Sequence, residues 1–221
     1  MSSTPERLSV PAIDIGPFLG DDPEGRRRVV AQVATACREV GFLVIMNHGV
    51  PAKTLEGAFS RSRSFFDLPQ AEKDKAHPTG PSKQRGYHGF ATRGLGKTLG
   101  TDQPADLRET VFLGPIVDFR DHYRELPEAE TAYWPNTLPA SPEGIAEALI
   151  ALYRAFEVLS ANLLRIFALA LDMPENHFAG RIDRHFSIMS CHHYPALTEA
   201  PAPGQLRTGA HTDFGTLTIL A

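Results

Sequence analysis

The stretch GAHTDFGTLTIL, residues 209–220, contains the side chains of this chain best suited by type and spacing to bind a metal ion. His211 and Asp213 lie two residues apart, ahead of an alternation of Thr with Leu and Ile that predicts a strand. On a strand, both side chains would point to the same side of the backbone. A third ligand from elsewhere would complete a triad of two histidines and one carboxylate, which in non-haem Fe(II) chemistry leaves positions open for substrate and dioxygen.

The residues around this His-x-Asp triplet are stronger evidence for a metal site than the triplet itself. A bare His-x-Asp is expected by chance about once in every two chains of this length and composition. Here a glycine lies on each side, Gly209 before and Gly215 after, and the alternating run follows. A half-buried strand beside a polar site is expected to have such a pattern. We therefore predict a metal site at the start of a strand.

The composition of the chain is that of a soluble globular protein. Its 221 residues are 42% apolar and 22% charged, which is enough for one sizeable core, with room for a helical subdomain in front of it. The formal net charge of -4, without a basic stripe, makes a nucleic-acid partner unexpected. The amino terminus lacks the apolar core of a signal peptide, and no apolar run reaches membrane-spanning length, so we expect a cytoplasmic protein without a membrane partner.

The periodicity of apolar residues predicts both helices and strands. We predict strands at residues 11–15, 42–46, 109–113 and 186–195, and helices at residues 23–40, 51–66 and 141–170. Residues 42–46 are apolar throughout, which indicates a strand covered on both faces. Ser141 is expected to cap the longest helix, with Pro142 at its first position.

Two further features of the sequence lead to structural expectations. Alternation in the last predicted strand puts Ser190, His192 and Tyr194 on one face and Met189, Cys191 and His193 on the other. The Gly- and Pro-rich loop of residues 78–104 is long enough to form a lid or a pocket wall. Cys37 and Cys191 are expected to be buried, reduced thiols rather than a disulfide or metal ligands.

Seven landmarks follow one another in order along nearly the whole chain. They are Pro11-Ala12-Ile13-Asp14, Gly41-Phe42 leading to Asn47-His48-Gly49-Val50, Phe65-Phe66-Asp67-Leu68-Pro69 with Lys73, Gly86-Tyr87, residues 109–112, Tyr194-Pro195, and the segment HTDFGTLTIL. Together they resemble the isopenicillin N synthase-like family of Fe(II)/2-oxoglutarate-dependent dioxygenases.

The resemblance implies an α+β fold. Its core would be a double-stranded β-helix, or jelly roll, backed by the long helix, with a helical and sheet region at the amino terminus. We expect an N-terminal dioxygenase region at residues 1–120, followed at residues 121–221 by the backing helix and the first part of the jelly-roll domain. The resemblance also implies that the jelly roll is incomplete at the carboxyl terminus of this chain.

The resemblance implies a role for several residues. His211 and Asp213 would bind Fe(II), and Tyr194 and His192 would contact a carboxylate of 2-oxoglutarate, although plant members usually have Asn at the position of His192. Phe214 would line the substrate pocket, and we expect Tyr87 and Arg85, from the 85–100 loop, to do the same. No side chain is predicted to act as acid, base or nucleophile. The family's second metal-binding histidine and its Arg-x-Ser pair would lie beyond Ala221.

The activity implied is oxidation of a small molecule by dioxygen, with release of succinate and CO2. Hydroxylation is the main expectation, with desaturation or ring closure as variants. Three alternatives stay open. They are a 2-oxoglutarate-independent oxidase of the same fold, a truncated or degenerate non-catalytic relative, and a Zn(II) hydrolase, although the HxHxDH spacing typical of such a hydrolase is absent.

Overall fold

A computed structural model describes residues 9–94 and 104–221 of the chain. The strands are β1 (Ala12–Asp14), β2 (Val44–Met46), β3 (Gly86–His88), β4 (Glu109–Leu113) and β5 (Met189–His193). The helices are α1 (Gly16–Leu19), α2 (Pro23–Glu39), α3 (Ala52–Phe66), α4 (Gln70–Lys73), α5 (Ala129–Ala132), α6 (Ile145–Ala170) and α7 (Ala179–Ile182), with a 3-10 helix at Asp74–Ala76. None of the helices in the described ranges combines the length and hydropathy that crossing a bilayer requires.

The chain forms two compact units, each built from two segments. The first unit combines the amino-terminal segment through Pro51 with Arg154–Asp183, and the second combines Ala52–Tyr153 with Arg184–Ala221. These units cut across the division at residue 120 that we expected, and that division stays a prediction. All residues of the candidate site lie in the second unit.

In the first unit, β1 and β2 pair in parallel, with Ile13 opposite Ile45. Helix α2 begins as its sequence predicts, because Pro23 occupies the first turn and the Asp22 carboxylate accepts a hydrogen bond from the Glu24 N–H at 3.1 Å. The core of this unit contains apolar side chains from β1, α1 and α2, namely Ile13, Phe18, Val29 and Val33.

In the second unit, β3, β4 and β5 form an antiparallel sheet in that order. Tyr87 of β3 is opposite Val111 of β4, which is opposite Cys191 of β5. One face of the sheet packs on α3 and on the first turns of α6. The buried side chains of this core are Phe65, Phe66, Ala76, Tyr87, Val111, Leu113, Ile145, Leu149 and Tyr153.

The prediction that residues 42–46 are covered on both faces is wrong. Only Val44–Met46 forms a strand, and it pairs with β1 alone among the described residues. Phe42 is 69% exposed, and Val44 and Met46 are also exposed. Apolar composition favours burial, but it does not determine whether a neighbouring element supplies the cover.

The predicted start of the longest helix is also wrong. Helix α6 begins at Ile145, so Ser141 is not its cap and Pro142 is not its first residue. Gly144, immediately before the helix, has φ of 77°, in the left-handed region. A residue with positive φ cannot continue a right-handed helix, and glycine adopts this conformation without steric cost.

Two smaller expectations fail for reasons of geometry. Cys37 is exposed, because the buried stripe of α2 runs through Val29, Val33 and Ala36, and Cys37 lies about 100° further round the helix. Cys191 is half-buried, and both thiols are free.

The strand predicted at residues 216–220 does not form, since no described segment pairs with it, and Leu220 is 89% exposed.

A buried polar cluster, the Glu109 cluster, lies within the core face of the sheet and consists of Glu109, Lys73, Tyr87 and His193. The Lys73 ammonium and the His193 ring each contact the Glu109 carboxylate at 2.8 Å, and the Tyr87 hydroxyl donates a third hydrogen bond. Burial by itself would raise the pKa of Glu109, but these hydrogen bonds outweigh it and leave the pKa below its usual value. The carboxylate is therefore ionised inside the core.

Replacing Lys73 with Met should lower the free energy of unfolding by about 3 kcal/mol or more, because it leaves the buried Glu109 charge without its ammonium partner. Adding Glu109→Gln to this variant should restore part of the loss. Urea unfolding measures both effects. Lys75→Met, which removes a solvent-exposed pair with Glu72, should cost less than about 1 kcal/mol. A double variant as unstable as the sum of the two single variants would contradict this account.

Candidate metal centre

The face of the second unit's sheet opposite the core is polar. The predicted alternation in β5 is confirmed, since Met189 and Cys191 pack towards the core while His192 lies across from Thr110 of β4. On this polar face, His192 lies 2.9 Å from both the Thr110 hydroxyl and the Ser190 hydroxyl. The sheet thus separates an apolar core from a surface rich in hydrogen-bonding groups.

The imidazole of His192 is neutral at pH 7. Desolvation by the surrounding protein, followed by the charge of Arg108, lowers the pKa of His192 to about 4. The Arg108 guanidinium lies 3.3 Å from the ring. A neutral imidazole offers one donor and one acceptor, and the two hydroxyls around it fix its orientation.

Tyr194 follows β5 and reaches the loop that leads to the His-x-Asp motif. Its hydroxyl lies 2.9 Å from the hydroxyl of Thr208, three residues before His211. Tyr194 is 42% exposed. This contact brings the Tyr-Pro landmark and the predicted metal motif together.

His211 and Asp213 converge, as their spacing suggests. The His211 ring places Nδ1 2.8 Å from the carbonyl oxygen of Gly209 and Nε2 3.2 Å from Oδ1 of Asp213. A carbonyl oxygen only accepts, so Nδ1 carries a proton, and Nε2 is the ring nitrogen that faces the carboxylate and can bind a metal ion when it carries no proton. One neutral nitrogen and one anionic oxygen at this separation fit a single divalent ion, and both donor types suit Fe(II).

The structure does not bring a third ligand to this pair. Across residues 9–94 and 104–221, no group of three or more His, Cys, Asp or Glu side chains is arranged to hold a metal ion. His211 and Asp213 therefore form two thirds of the predicted triad within the described residues.

The three predicted substrate contacts have different surroundings. Phe214, next to Asp213, is 78% exposed, whereas Arg85 and Tyr87 are buried. Arg85 donates to the carbonyl oxygen of Ala132, and Tyr87 donates to Glu109. The polar atoms of Arg85 and Tyr87 thus bind protein groups, and the assignment of all three residues to a substrate pocket stays a prediction. Residues 95–103 of the predicted lid lie outside the described residues.

Sequence reasoning missed two residues next to the metal motif. Asp106 is buried and accepts a hydrogen bond from the Gly209 N–H at 3.1 Å, and Arg108 lies between Asp106 and His192. Alternation through Asp106, Arg108 and Thr110 could have placed all three on one face. Nothing in the sequence, however, identifies the partner of Asp106, because Gly209 is 103 residues away.

His88 lies on the polar face in β3 and is itself nearly buried. Burial, followed by the charge of Arg93, lowers the pKa of His88 to about 4. In the unfolded chain a histidine has a pKa of about 6.5. Because the folded pKa is the lower one, the stability linked to His88 is present above pH 6.5 and is lost as the pH falls from 6.5 towards 4.

Between pH 7 and pH 5, we expect His88 to account for a loss of about 2 kcal/mol in the free energy of unfolding. Urea unfolding at the two pH values should show a smaller loss in His88→Gln than in the wild type. The exposed His122, replaced in the same way, is the matched control and should keep the wild-type loss. An identical pH dependence in His88→Gln and the wild type would contradict the expectation.

The chain is similar to several characterised sequences. Residues 10–141 match the family described as non-haem dioxygenase in morphine synthesis N-terminal. The 2-oxoglutarate-dependent dioxygenase frbA of Dothideomycetidae sp. (strain 11243) is 29% identical over 222 residues, covering 96% of this chain and 63% of the relative. The 2-oxoglutarate-Fe(II) type oxidoreductase ppzC of Metarhizium rileyi is 31% identical over 226 residues, covering 96% of this chain and 59% of that protein.

A solved structure has the same fold as this chain. A full-length protein of Neurospora crassa, crystallised in complex with alpha-KG, matches with a TM-score of 0.74 and 24% sequence identity. The match covers 96% of this chain and 63% of the Neurospora crassa protein. This chain therefore spans about three fifths of the length of each of these three proteins.

Proposed function

Because this chain belongs to the non-haem dioxygenase family, with a match over residues 10–141, we propose that the full-length protein is an Fe(II)- and 2-oxoglutarate-dependent dioxygenase that oxidises a small molecule. The family assignment made from sequence landmarks is thereby confirmed. The observation that carries the proposal is the convergence of His211 Nε2 and Asp213 Oδ1 at 3.2 Å. The names of the relatives support the same activity, and alpha-KG, bound in the Neurospora crassa protein, is 2-oxoglutarate.

Two residues of this chain would hold the metal. His211 offers the lone pair of Nε2 because its Nδ1 proton is bound by the carbonyl oxygen of Gly209. Asp213 offers an anionic oxygen that offsets part of the charge of the ion. We propose that the third ligand comes from outside the described residues. When bound, Fe(II) and 2-oxoglutarate together supply the oxidising power, with succinate and CO2 as products.

The polar face would bind the cosubstrate. Tyr194 and His192 lie side by side, with ring centroids 6.3 Å apart. The Tyr194 hydroxyl can donate to a carboxylate, and the single N–H of neutral His192 would do so in place of its bond to a neighbouring hydroxyl. Thr110 and Ser190 fix the imidazole of His192 in this position. Phe214, exposed and adjacent to Asp213, would contribute apolar surface to the substrate pocket.

We also propose that the sheet of β3, β4 and β5 is part of a double-stranded β-helix. The fold shared with the Neurospora crassa protein supports this proposal. A cytoplasmic location is part of the same proposal, and the two free thiols, Cys37 and Cys191, suit a reducing compartment.

Asp213→Ala should lower 2-oxoglutarate turnover by the full-length protein at least a hundredfold, because it removes a charged metal ligand worth several kcal/mol. Succinate formation in the presence of Fe(II) and dioxygen is the measurement. Asp121→Ala, which removes an exposed carboxylate from the same unit, should leave turnover unchanged.

Three results would contradict the proposal in different ways. Unchanged turnover in Asp213→Ala would show that Asp213 is not a metal ligand. Substrate oxidation without consumption of 2-oxoglutarate would identify an oxidase that does not need the cosubstrate. A wild-type protein that fails to bind Fe(II) would identify a non-catalytic relative.

Tyr194→Phe should raise the KM for 2-oxoglutarate roughly tenfold, because it removes a hydrogen bond to a charged carboxylate worth about 1.5 kcal/mol or more. The KM is obtained from initial rates of succinate formation. Tyr123→Phe is the matched control, since the Tyr123 hydroxyl donates to a backbone carbonyl oxygen, that of Arg184, and has no assigned role in the site. An unchanged KM in Tyr194→Phe would exclude this hydroxyl from the cosubstrate site.

A further inference from the structure

Three hydrogen bonds connect the segment before β4 to the loop before the metal motif. The side chain of Gln205 donates to the carbonyl oxygen of Ala105 at 3.0 Å, and the Leu107 N–H donates to the carbonyl oxygen of Leu206 at 2.9 Å. The third bond runs from the Gly209 N–H to Oδ1 of Asp106 at 3.1 Å. The loop is therefore anchored at several points, and the last anchor lies two residues before His211.

Asp106 is an unusual residue to supply this anchor. It is 3% exposed, and burial of an ionised carboxylate costs several kcal/mol unless other groups compensate. Arg108 Nη2 lies 3.2 Å from Oδ2 of Asp106, so an opposite charge is close by. This contact is an ion pair without a hydrogen bond, since Oδ2 has no hydrogen-bond partner among the described residues. Among the described residues, the hydrogen bond of this carboxylate is the one that Oδ1 accepts from the Gly209 N–H.

Gly209 connects Asp106 to His211, the predicted metal ligand. Its N–H is bound by Asp106, and its carbonyl oxygen accepts the Nδ1 proton of His211 at 2.8 Å. The N–H and the carbonyl group of Gly209 lie on either side of its φ and ψ bonds, and each has a partner. The glycine therefore connects the anchored loop to the His211 ring, whose Nε2 faces Asp213.

We propose that Asp106 is a positioning residue for the metal site. Its carboxylate orients Gly209, which in turn sets the tautomer and the orientation of His211. Groups that hydrogen-bond to metal-binding histidines change metal affinity by 10- to 100-fold in proteins generally. This inference rests on the proposed function, since it requires His211 to bind a metal ion.

The test compares what the Asp106 side chain offers to Gly209. Asp106→Asn keeps an acceptor oxygen in place and removes the charge, whereas Asp106→Glu keeps the charge and displaces the acceptor by one methylene group. Mn(II), which accepts the same nitrogen and oxygen ligands and does not oxidise readily, serves as the probe. Its dissociation constant is measured by electron paramagnetic resonance titration of the full-length protein.

We expect Asp106→Asn to bind Mn(II) within about threefold of the wild type and Asp106→Glu to bind it about tenfold more weakly. Glu109→Gln is the matched control. It neutralises the other buried acid of this segment, whose contacts are with Lys73, Tyr87 and His193 on the core face. This control should lower the stability without changing the affinity for Mn(II).

Each outcome decides between the positioning role and its alternatives. Wild-type affinity in Asp106→Glu overturns the positioning role, and so does an equal loss in Glu109→Gln, because the affinity would then follow stability alone. A tenfold loss in Asp106→Asn would also overturn it, since the charge and not the hydrogen bond would then matter. A wild-type protein that does not bind Mn(II) would refute the proposed function itself and this inference with it.

Discussion

An ionised carboxylate within the core of the second unit constrains the sheet that carries the site. Glu109 is 4% exposed, and its oxygens accept hydrogen bonds from side chains of three other segments, namely Lys73 of α4, Tyr87 of β3 and His193 of β5. Because a charge removed from water must be matched by donors in defined positions, these segments cannot shift independently of β4. The Glu109 cluster therefore links the register of the sheet to the packing of the core.

The register of β4 determines what the other face presents. Strand residues alternate between faces, so the placement of Glu109 opposite His193 in the core sets Thr110 opposite His192 on the polar face. A slip of one residue would bring Thr110 into the core and expose the carboxylate. The polar face, with its neutral imidazole and its hydroxyls, therefore depends on a contact made on the opposite side of the sheet.

The metal pair depends on local geometry and on one distant contact. His211, Asp213 and the carbonyl group of Gly209 lie within five residues, and their mutual contacts need only the local backbone. The position of that segment on the sheet is a separate matter. It depends on hydrogen bonds from residues about a hundred positions earlier, including the buried Asp106.

Spacings along the chain were enough to predict the features that depend on neighbouring residues. Helix α2 and its Asp22 cap, the alternation of β5 and the pairing of His211 with Asp213 all follow from spacings of a few residues. The order of the landmarks also identified the family. The exposure of β2 and the contact between Asp106 and Gly209 are visible only in the folded chain. Burial and pairing join residues far apart in the chain, and no local pattern specifies which distant partner will be present.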